Sequence, residues 1–380
     1  MKWITIGCGA LLSAALAAPG AVLAAPLYNL TVIGGADSVA NDINASGQLV
    51  GYQKTGAEFH AFFYDGSTVN DLSPVVGAGS VAQRLNDSGT IVGQVSSGGF
   101  AYAKGALIAL PLSGYSEANG LNNAGAIVGA TYLPLDGECC ALSAYTYNGG
   151  VFTNLGTTPD GYGSYAEAIN DAGHVAGTNI LDIATNYQEP FFYSGGVMHS
   201  LGSFGGPYGH SWAINNHDQV VGEIGAAYVD SDNQSPYPRH AFLYDGGVVT
   251  DLGVAVYGGD SSARDINDRG QIVGNTSTDQ GRQAFLYEAG RMLLLDGLID
   301  PALGWTVQQA NGINELGQIA GTACRAGLCY AVRLDMAMAV PEPGEGLLLA
   351  VGLLALLFGR RCMTVPLASQ VRCARLTWAR

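Results

Sequence analysis

The sequence predicts an all-β chain, a β-propeller of seven four-stranded blades closed by an N-terminal strand. Three observations carry that prediction. The phrase Ile-Asn-x-x-Gly-x-Ile-Val-Gly recurs seven times between Ile43 and Gly321, and its asparagines Asn44, Asn86, Asn122, Asn170, Asn215, Asn267 and Asn314 lie 42, 36, 48, 45, 52 and 47 residues apart. A unit of that length suits a propeller blade. Only 12% of residues are charged, while 55 are glycine and 19 tyrosine, which favours short strands joined by turns over amphipathic helices. Finally, the last unit lacks its fourth strand, and Tyr28 to Gly34, ahead of the first unit, has that strand's pattern. Pairing the two closes the ring and hides its sheet edges, whereas an open stack of sheets would leave the N-terminal strand unexplained.

Each element of the unit follows from its columns. The residue before each asparagine is always aliphatic (Ile43, Leu85, Leu121, Ile169, Ile214, Ile266, Ile313), so it belongs to a buried strand face. Four residues before the asparagine stands alanine, or Ser211 in the fifth unit, which suits the crowded centre of a closed structure. Three residues after it stands glycine in six units and Asp218 in the fifth. That position needs a left-handed backbone, so the segment reads as a tight hairpin turn with the asparagine side chain bonding the turn. A second strand then starts at Leu49-Val50, Ile91-Val92 and their equivalents, each pair followed by glycine. Third strands are clearest at His60 to Tyr64, His240 to Tyr244 and Gln283 to Tyr287, and fourth strands end near Asp71-Leu72 and Asp251-Leu252. The second copy, around Phe100 to Leu110, is degenerate.

The ends are different in kind. Lys2, an apolar run from Ile4 to Leu23 and small residues through Ala25 describe a secretory signal peptide over residues 1–25. The repeats occupy 26–335, followed by a linker over 336–345, a short hydrophobic membrane segment over 346–359 and a basic tail over 360–380. Between residues 26 and 340 there are 10 basic and 29 acidic side chains, a difference of −19. Such a surface repels phosphate backbones, so nucleic acid is excluded as a partner. Export puts Cys324 and Cys329 in an oxidising compartment, where a bridge across the Arg325-Ala326-Gly327 hairpin is expected. Adjacent Cys139 and Cys140 cannot easily bridge each other, and a zinc site would need four convergent ligands that the spacing does not predict.

Catalytic motifs are absent by the chemistry they need. Gly209-His210-Ser211-Trp212-Ala213 has the outline of a nucleophile elbow, but Ser211 falls in the alanine column and no helix follows. His60 and His240 have Ser143, Glu189 and Gln283 at equivalent positions, so they read as polar strand residues. Asp230-Ser231-Asp232-Asn233 has the alternate acids of a calcium loop without its glycine or distal glutamate. It reads as an acidic loop, and no cofactor or metal is predicted.

The connections from second to third strand and from fourth strand to the next unit are long and share one face. They carry Tyr132, Tyr162, Tyr187, Tyr208, Tyr228, Asp230, Asp232 and Tyr237. Aromatic faces stack on sugars and carboxylates accept hydroxyl hydrogen bonds, so these loops are the expected ligand-binding residues, for polysaccharide or a surface protein. The competing reading is a carbohydrate-active hydrolase or lyase using the channel. It requires acids on the first strands, which offer few candidates, Asp42, Arg84, Glu167 and Asp265 among them. A third reading is a purely structural surface protein.

Two resemblances bear on this choice. Pro341-Glu342-Pro343, the apolar run and Arg360-Arg361, in that order, resemble the PEP-CTERM sorting signal of Gram-negative bacteria. The resemblance implies an exosortase-type processing enzyme, a stay in the inner membrane before processing, and delivery to the cell envelope, cell surface or extracellular matrix alongside exopolysaccharide and biofilm. The chain departs from that pattern in continuing from Cys362 to Arg380. The repeats, with His60-Ala61-Phe62 and His240-Ala241-Phe242, are similar to the HAF family of bacterial extracellular repeats, which implies an exported repeat protein and no chemistry.

Overall fold

A computed structural model describes residues 28–337 except 111–115, 136–137, 186 and 227–237. The side chains of residues 134–141 are likewise outside it, among them Cys139 and Cys140, as are the signal segment and everything from Met338 onward.

The described chain forms seven four-stranded antiparallel sheets, a seven-bladed β-propeller. Six blades are simple meanders, beginning with Ser38–Ile43, Leu49–Thr55, Glu58–Tyr64 and Val69–Asp71. In the seventh, Thr306–Ile313, Ile319–Arg325 and Leu328–Met336 are completed by Tyr28–Ala36, which pairs antiparallel with Leu328–Met336. The ring is therefore fastened by the chain's two ends. The degenerate second copy keeps all four strands, the outer two reduced to Gly98–Ala103 and Ala106–Ile108. Cys324 and Cys329 are bridged across the hairpin of the last blade.

The core is divided in the same way as the ring. Seven buried apolar clusters fill the seven blade interfaces, for example Val50, Ala61, Ala82 and Ile91 between blades 1 and 2, and Ala40, Phe62, Ala320 and Ala331 between blades 1 and 7. The alanine column explains the spacing. Ala40, Ala82, Ala118, Ala166, Ala263 and Ala310 are fully buried, and a larger side chain there would force neighbouring sheets apart.

Each phrase makes the expected turn, and Asp218 takes the left-handed backbone of its column at φ 62°. The asparagines do more than cap it. Asn267 Oδ1 accepts the backbone N–H groups of Arg269 (3.1 Å) and Gln271 (3.0 Å), while Nδ2 donates to the carbonyl of Asn314 in the next blade (3.0 Å). The same donation runs from Asn44 to Asn86, on through Asn122, Asn170 and Asn215 to Asn267, and from Asn314 back to Asn44 (2.9 Å). Seven side chains thus form a closed hydrogen-bonded ring. A second girdle lies outside it: the backbone N–H after each asparagine donates to a side-chain oxygen one blade on, from Ala45 to Asp87 (2.9 Å) through to Asp268 and Glu315 (2.8 Å). It stops between blades 7 and 1, where Ala45 has no side-chain acceptor.

Candidate functional site

The first strands of all seven blades share one irregularity. Their register against the second strand slips between Ala40 and Asp42, Ala82 and Arg84, Ala118 and Gly120, Ala166 and Ala168, Ser211 and Ala213, Ala263 and Asp265, and Ala310 and Gly312. A bulge of this kind leaves one residue out of the ladder and re-aims its side chain. The last glycine of the phrase permits it. A Cβ on Gly274 would collide with the carbonyl oxygen of Ser262 and lie 3.0 Å from Ala263 Cα, and the same carbonyl clash recurs at Gly51, Gly93, Gly129, Gly177, Gly222 and Gly321. The glycine is thus fixed by close backbone approach at the bulge.

The seven bulged residues are Asn41, Gln83, Asn119, Glu167, Trp212, Arg264 and Asn311. Together with Arg84, Gln94 and Glu117 they line a cavity of about 280 Å³ at the end of the channel where the first strands begin. Three amides are tied to the ring, Asn41 donating to the Ala82 carbonyl (2.8 Å), Asn119 to Ala166 (3.2 Å) and Asn311 to Ala40 (2.9 Å). Gln83, Glu167 and Arg264 make no hydrogen bond or ion pair with the described residues. The Arg264 guanidinium carbon sits 4.3 Å from the centre of the Trp212 ring, and the indole N–H of Trp212 is buried without an acceptor. His210 stacks on the same indole with ring centres 4.9 Å apart, backed by Tyr165 and Tyr208. Burial brings the His210 imidazole down to about 4 against the pull of Glu223, so it is neutral at physiological pH.

Deeper in the channel, Asp42, Arg84 and Asp265 line a cavity of about 140 Å³. Asp42 accepts the Leu85 N–H (2.9 Å) and Asp265 the Ile313 N–H (2.7 Å), so both bond across to the following blade. Enclosure raises both carboxyls, Asp265 to about 7, with Arg84 opposing. Glu167, in the mouth, is pushed up to about 8 by burial and by Glu117, against Arg84 and Arg264. It is therefore mainly a neutral carboxylic acid at pH 7, able to donate as well as accept a hydrogen bond. The four first-strand residues named by the enzyme reading thus lie along one channel, with Arg84 lining both cavities.

The opposite end opens as a cavity of about 220 Å³ framed by the asparagine ring and by Asp87, Asp171, Asp268 and Glu315. Those four acids are already occupied as acceptors of the outer girdle. Among the described residues no group of three or more histidine, cysteine or acidic side chains is arranged to hold a metal.

The loop residues expected to bind ligand are spread out. Tyr132 and Tyr162 are exposed, Tyr187 donates to Glu189 (2.9 Å), and Tyr208 lies half-buried against His210, 5.9 Å from the Arg239 guanidinium carbon. Tyr228, Asp230, Asp232 and Tyr237 lie outside the described residues, as do Pro341, Glu342, Pro343, Arg360 and Arg361. No described helix is long and apolar enough to cross a membrane, and the 346–359 segment is not among those residues. His60 and His240 pair with Asp71 (3.3 Å) and Asp251 (2.7 Å) on the outermost strands, and Glu189 holds Ser200 (2.5 Å) in the same way. Ser211 is fully buried with an unpaired hydroxyl inside a strand, sealed away from any substrate.

What sequence reasoning missed is the bulged column as a whole. Its signal was present: between the near-constant alanine just before it and the aliphatic residue two positions after it, this column changes among five hydrogen-bonding side chains.

A family model described as a protein of unknown function (DUF3466) matches residues 152–252, about two blades. No curated protein matches the chain. Among solved structures, it is similar to the β-propeller domain of the Trilobed protease from Pyrococcus furiosus, which has an open velcro topology, at 8% identity and TM-score 0.45 over 68% of this chain and 84% of that one. It is also similar to a puromycin-hydrolyzing peptidase from Mycobacterium tuberculosis, at 10% identity and TM-score 0.47 over 82% of this chain; the match spans 52% of that peptidase's length. YCF48 bound to D1 peptide matches at 11% identity and TM-score 0.43 over 83% of this chain and 98% of that one. The seven-bladed ring is read from the chain's own strand pairing.

Proposed function

We propose that this chain is an exported, non-enzymatic propeller of the bacterial cell surface or extracellular matrix that binds polysaccharide at its channel mouth. One observation carries the reading. Seven identical bulges aim seven side chains into one cavity, every one can hydrogen-bond, and only three of them are committed to the ring. Amides and carboxyls that both donate and accept suit sugar hydroxyls, and an indole supplies an apolar edge. The sequence resemblance to a sorting signal supports the surface location and processing by an exosortase-type enzyme. None of the described tyrosines expected to bind ligand lines this cavity, and Tyr208 reaches it only through His210, which stacks on Trp212. Retention of the full secreted chain on exopolysaccharide from its own cells is the expected result, weakened in a Trp212→Ala variant. Passage of the unaltered chain straight through such a matrix overturns the proposal.

A second reading is favoured by the raised carboxyls. Glu167, protonated up to about 8, has the state a general acid needs, and Asp42 and Asp265 lie deeper in the same channel. In that reading the chain cleaves the glycan it holds. Release of new reducing ends or unsaturated sugars, abolished by Glu167→Gln, supports it; retention with no cleavage leaves the binding reading.

A further inference from the structure

We infer that the sugar bound at the channel mouth is anionic, a uronic acid residue, and that Arg264 anchors its carboxylate; this rests on the polysaccharide reading above. The first observation is where the few positive charges sit. Of 16 lysines and arginines, six lie in the signal segment and the tail, which leaves ten in the repeats against 29 acidic residues. Four of those ten, Arg84, Arg239, Arg264 and Arg282, line the mouth cavity or a smaller one of about 40 Å³ beside it. Arg264 lines both. Glu117, Glu167, Glu223 and Asp260 share those linings, so on a protein with formal net charge −15 the site is set apart by its gathering of arginines and not by a net positive charge.

The second observation is that Arg264 lacks a partner. Arg239 is neutralised by Glu223 (3.3 Å) and Asp260 (3.7 Å). Arg264 makes neither hydrogen bond nor ion pair among the described residues; it only stacks on Trp212. Burial pulls its guanidinium below the ordinary value, with Arg282 and Arg84 adding to the effect and Glu223 opposing it. A half-buried charge without a counter-ion loses part of its hydration, and a bound anion offsets that loss. Beside it in the smaller cavity, Ser262 is only 4% exposed and its hydroxyl has no partner. An unpaired hydroxyl next to an unpaired guanidinium forms a half-complete anion site.

A sugar carboxylate fits this pair better than a phosphate ester does. The planar guanidinium matches a carboxylate through two parallel hydrogen bonds. Glu117 and Glu167 line the same cavity; both accept bonds from sugar hydroxyls, and the neutral Glu167 carboxyl can also donate one. Gln83 and Gln94 supply further hydroxyl partners.

The test is calorimetric titration of the full chain with a tetragalacturonate, the same oligomer reduced at its carboxyls to neutral galactose units, and inorganic tripolyphosphate. The uronate should bind about tenfold more tightly than the neutral oligomer, the size of one charged hydrogen-bonded contact. Raising salt should erase that margin and leave neutral binding unchanged. Arg264→Gln should abolish the margin, and Arg264→Lys should restore only part of it. If Arg264→Gln fails to fold by thermal melt, exposed Arg282→Gln serves instead, with a loss of about threefold from the weakened field. Equal affinity for uronate and neutral oligomers overturns this inference and leaves the polysaccharide reading standing. Binding of tripolyphosphate alone, or of nothing, overturns both.

Discussion

The two ends of the channel are built from the same seven first strands and behave oppositely. At the turn end seven asparagines do one job seven times, each donating to the next blade until the ring closes. At the mouth, three residues earlier on the same strands, seven bulges present five kinds of side chain, and several make no hydrogen bond among the described residues. Repetition at one end fixes geometry so firmly that the other end is free to vary. The difference teaches how to read such a chain: constant columns hold the ring, and the columns that change between them face the channel.

The largest expected effect comes from removing what both ends share. Gly274→Ala places a Cβ against the Ser262 carbonyl, with the Phe285 ring at 2.9 Å and Ala263 Cα at 3.0 Å. Backbone cannot move aside as a side-chain tip can. The expected cost is about 3 kcal/mol or more, the upper end of overpacking because backbone is what the Cβ meets, read as a shift in the denaturation midpoint. It should also displace Arg264, whose bulge depends on that contact. A stable variant with an unchanged mouth would show that the glycine is dispensable to the bulge.

Next comes damage confined to the turn end. Asn267→Ala strips two backbone N–H groups of their acceptor and removes one of the two donors to the Asn314 carbonyl, at a site 2% exposed. We expect about 2 to 3 kcal/mol of destabilisation from unsatisfied buried groups. Ligand affinity in the surviving folded fraction should be unchanged. A change below about 0.5 kcal/mol, the size of an ordinary surface substitution, would mean that water replaces the ring without loss.

These two variants also mark how much was legible in the sequence. Asn44 and its six equivalents, the alanine column, Asp218 in a glycine's place and the detached strand at Tyr28 together gave blade number, turn and closure, because each recurs and each has a single local cause. The inter-blade donation from Asn267 to Asn314 was not legible, since it joins residues 47 apart whose proximity exists only after the ring forms. The mouth was missed for a subtler reason. A bulge at Glu167 or Arg264 has no residue signature of its own; its signature is the glycine 10 positions on, which reads equally well as an ordinary strand glycine. Loop tyrosines such as Tyr162 drew notice because aromatic residues in irregular segments are visible without register, whereas a first-strand side chain's direction is not.

A smaller effect, and of opposite sign, is expected at the mouth when pH is varied. Glu167 has a folded-state value near 8, above its ordinary one. Between about 4.5 and 8 the folded chain therefore holds a proton that the unfolded chain has released, and stability falls as pH rises through that window. Glu167→Gln removes the dependence. The melting temperature of the variant should match the unaltered chain near pH 4.5 and exceed it increasingly up to pH 8. His210, neutral when folded, loses stability as pH falls below about 6.5, but it does so in both proteins and cancels from the difference. A constant difference across the range would mean that Glu167 is ionised in its cavity.

The smallest expected effect on the fold is also the sharpest test of the contrast. Gln83 occupies the bulge of blade 2, lines the mouth and makes no hydrogen bond with the described residues. Gln83→Ala removes no cap, fills no void and strands no partner, so thermal and denaturant midpoints should move by no more than about 0.5 kcal/mol, as at an ordinary surface site. If the mouth binds hydroxylated ligands, the same substitution should weaken retention on polysaccharide severalfold, because a lost donor and acceptor in an enclosed site cost about 1 kcal/mol or more. Asn267→Ala predicts the converse, stability lost and affinity kept. Should Gln83→Ala destabilise the ring as much as Asn267→Ala does, the bulged column would be structural like the asparagine column, and the division of labour between the two ends would collapse.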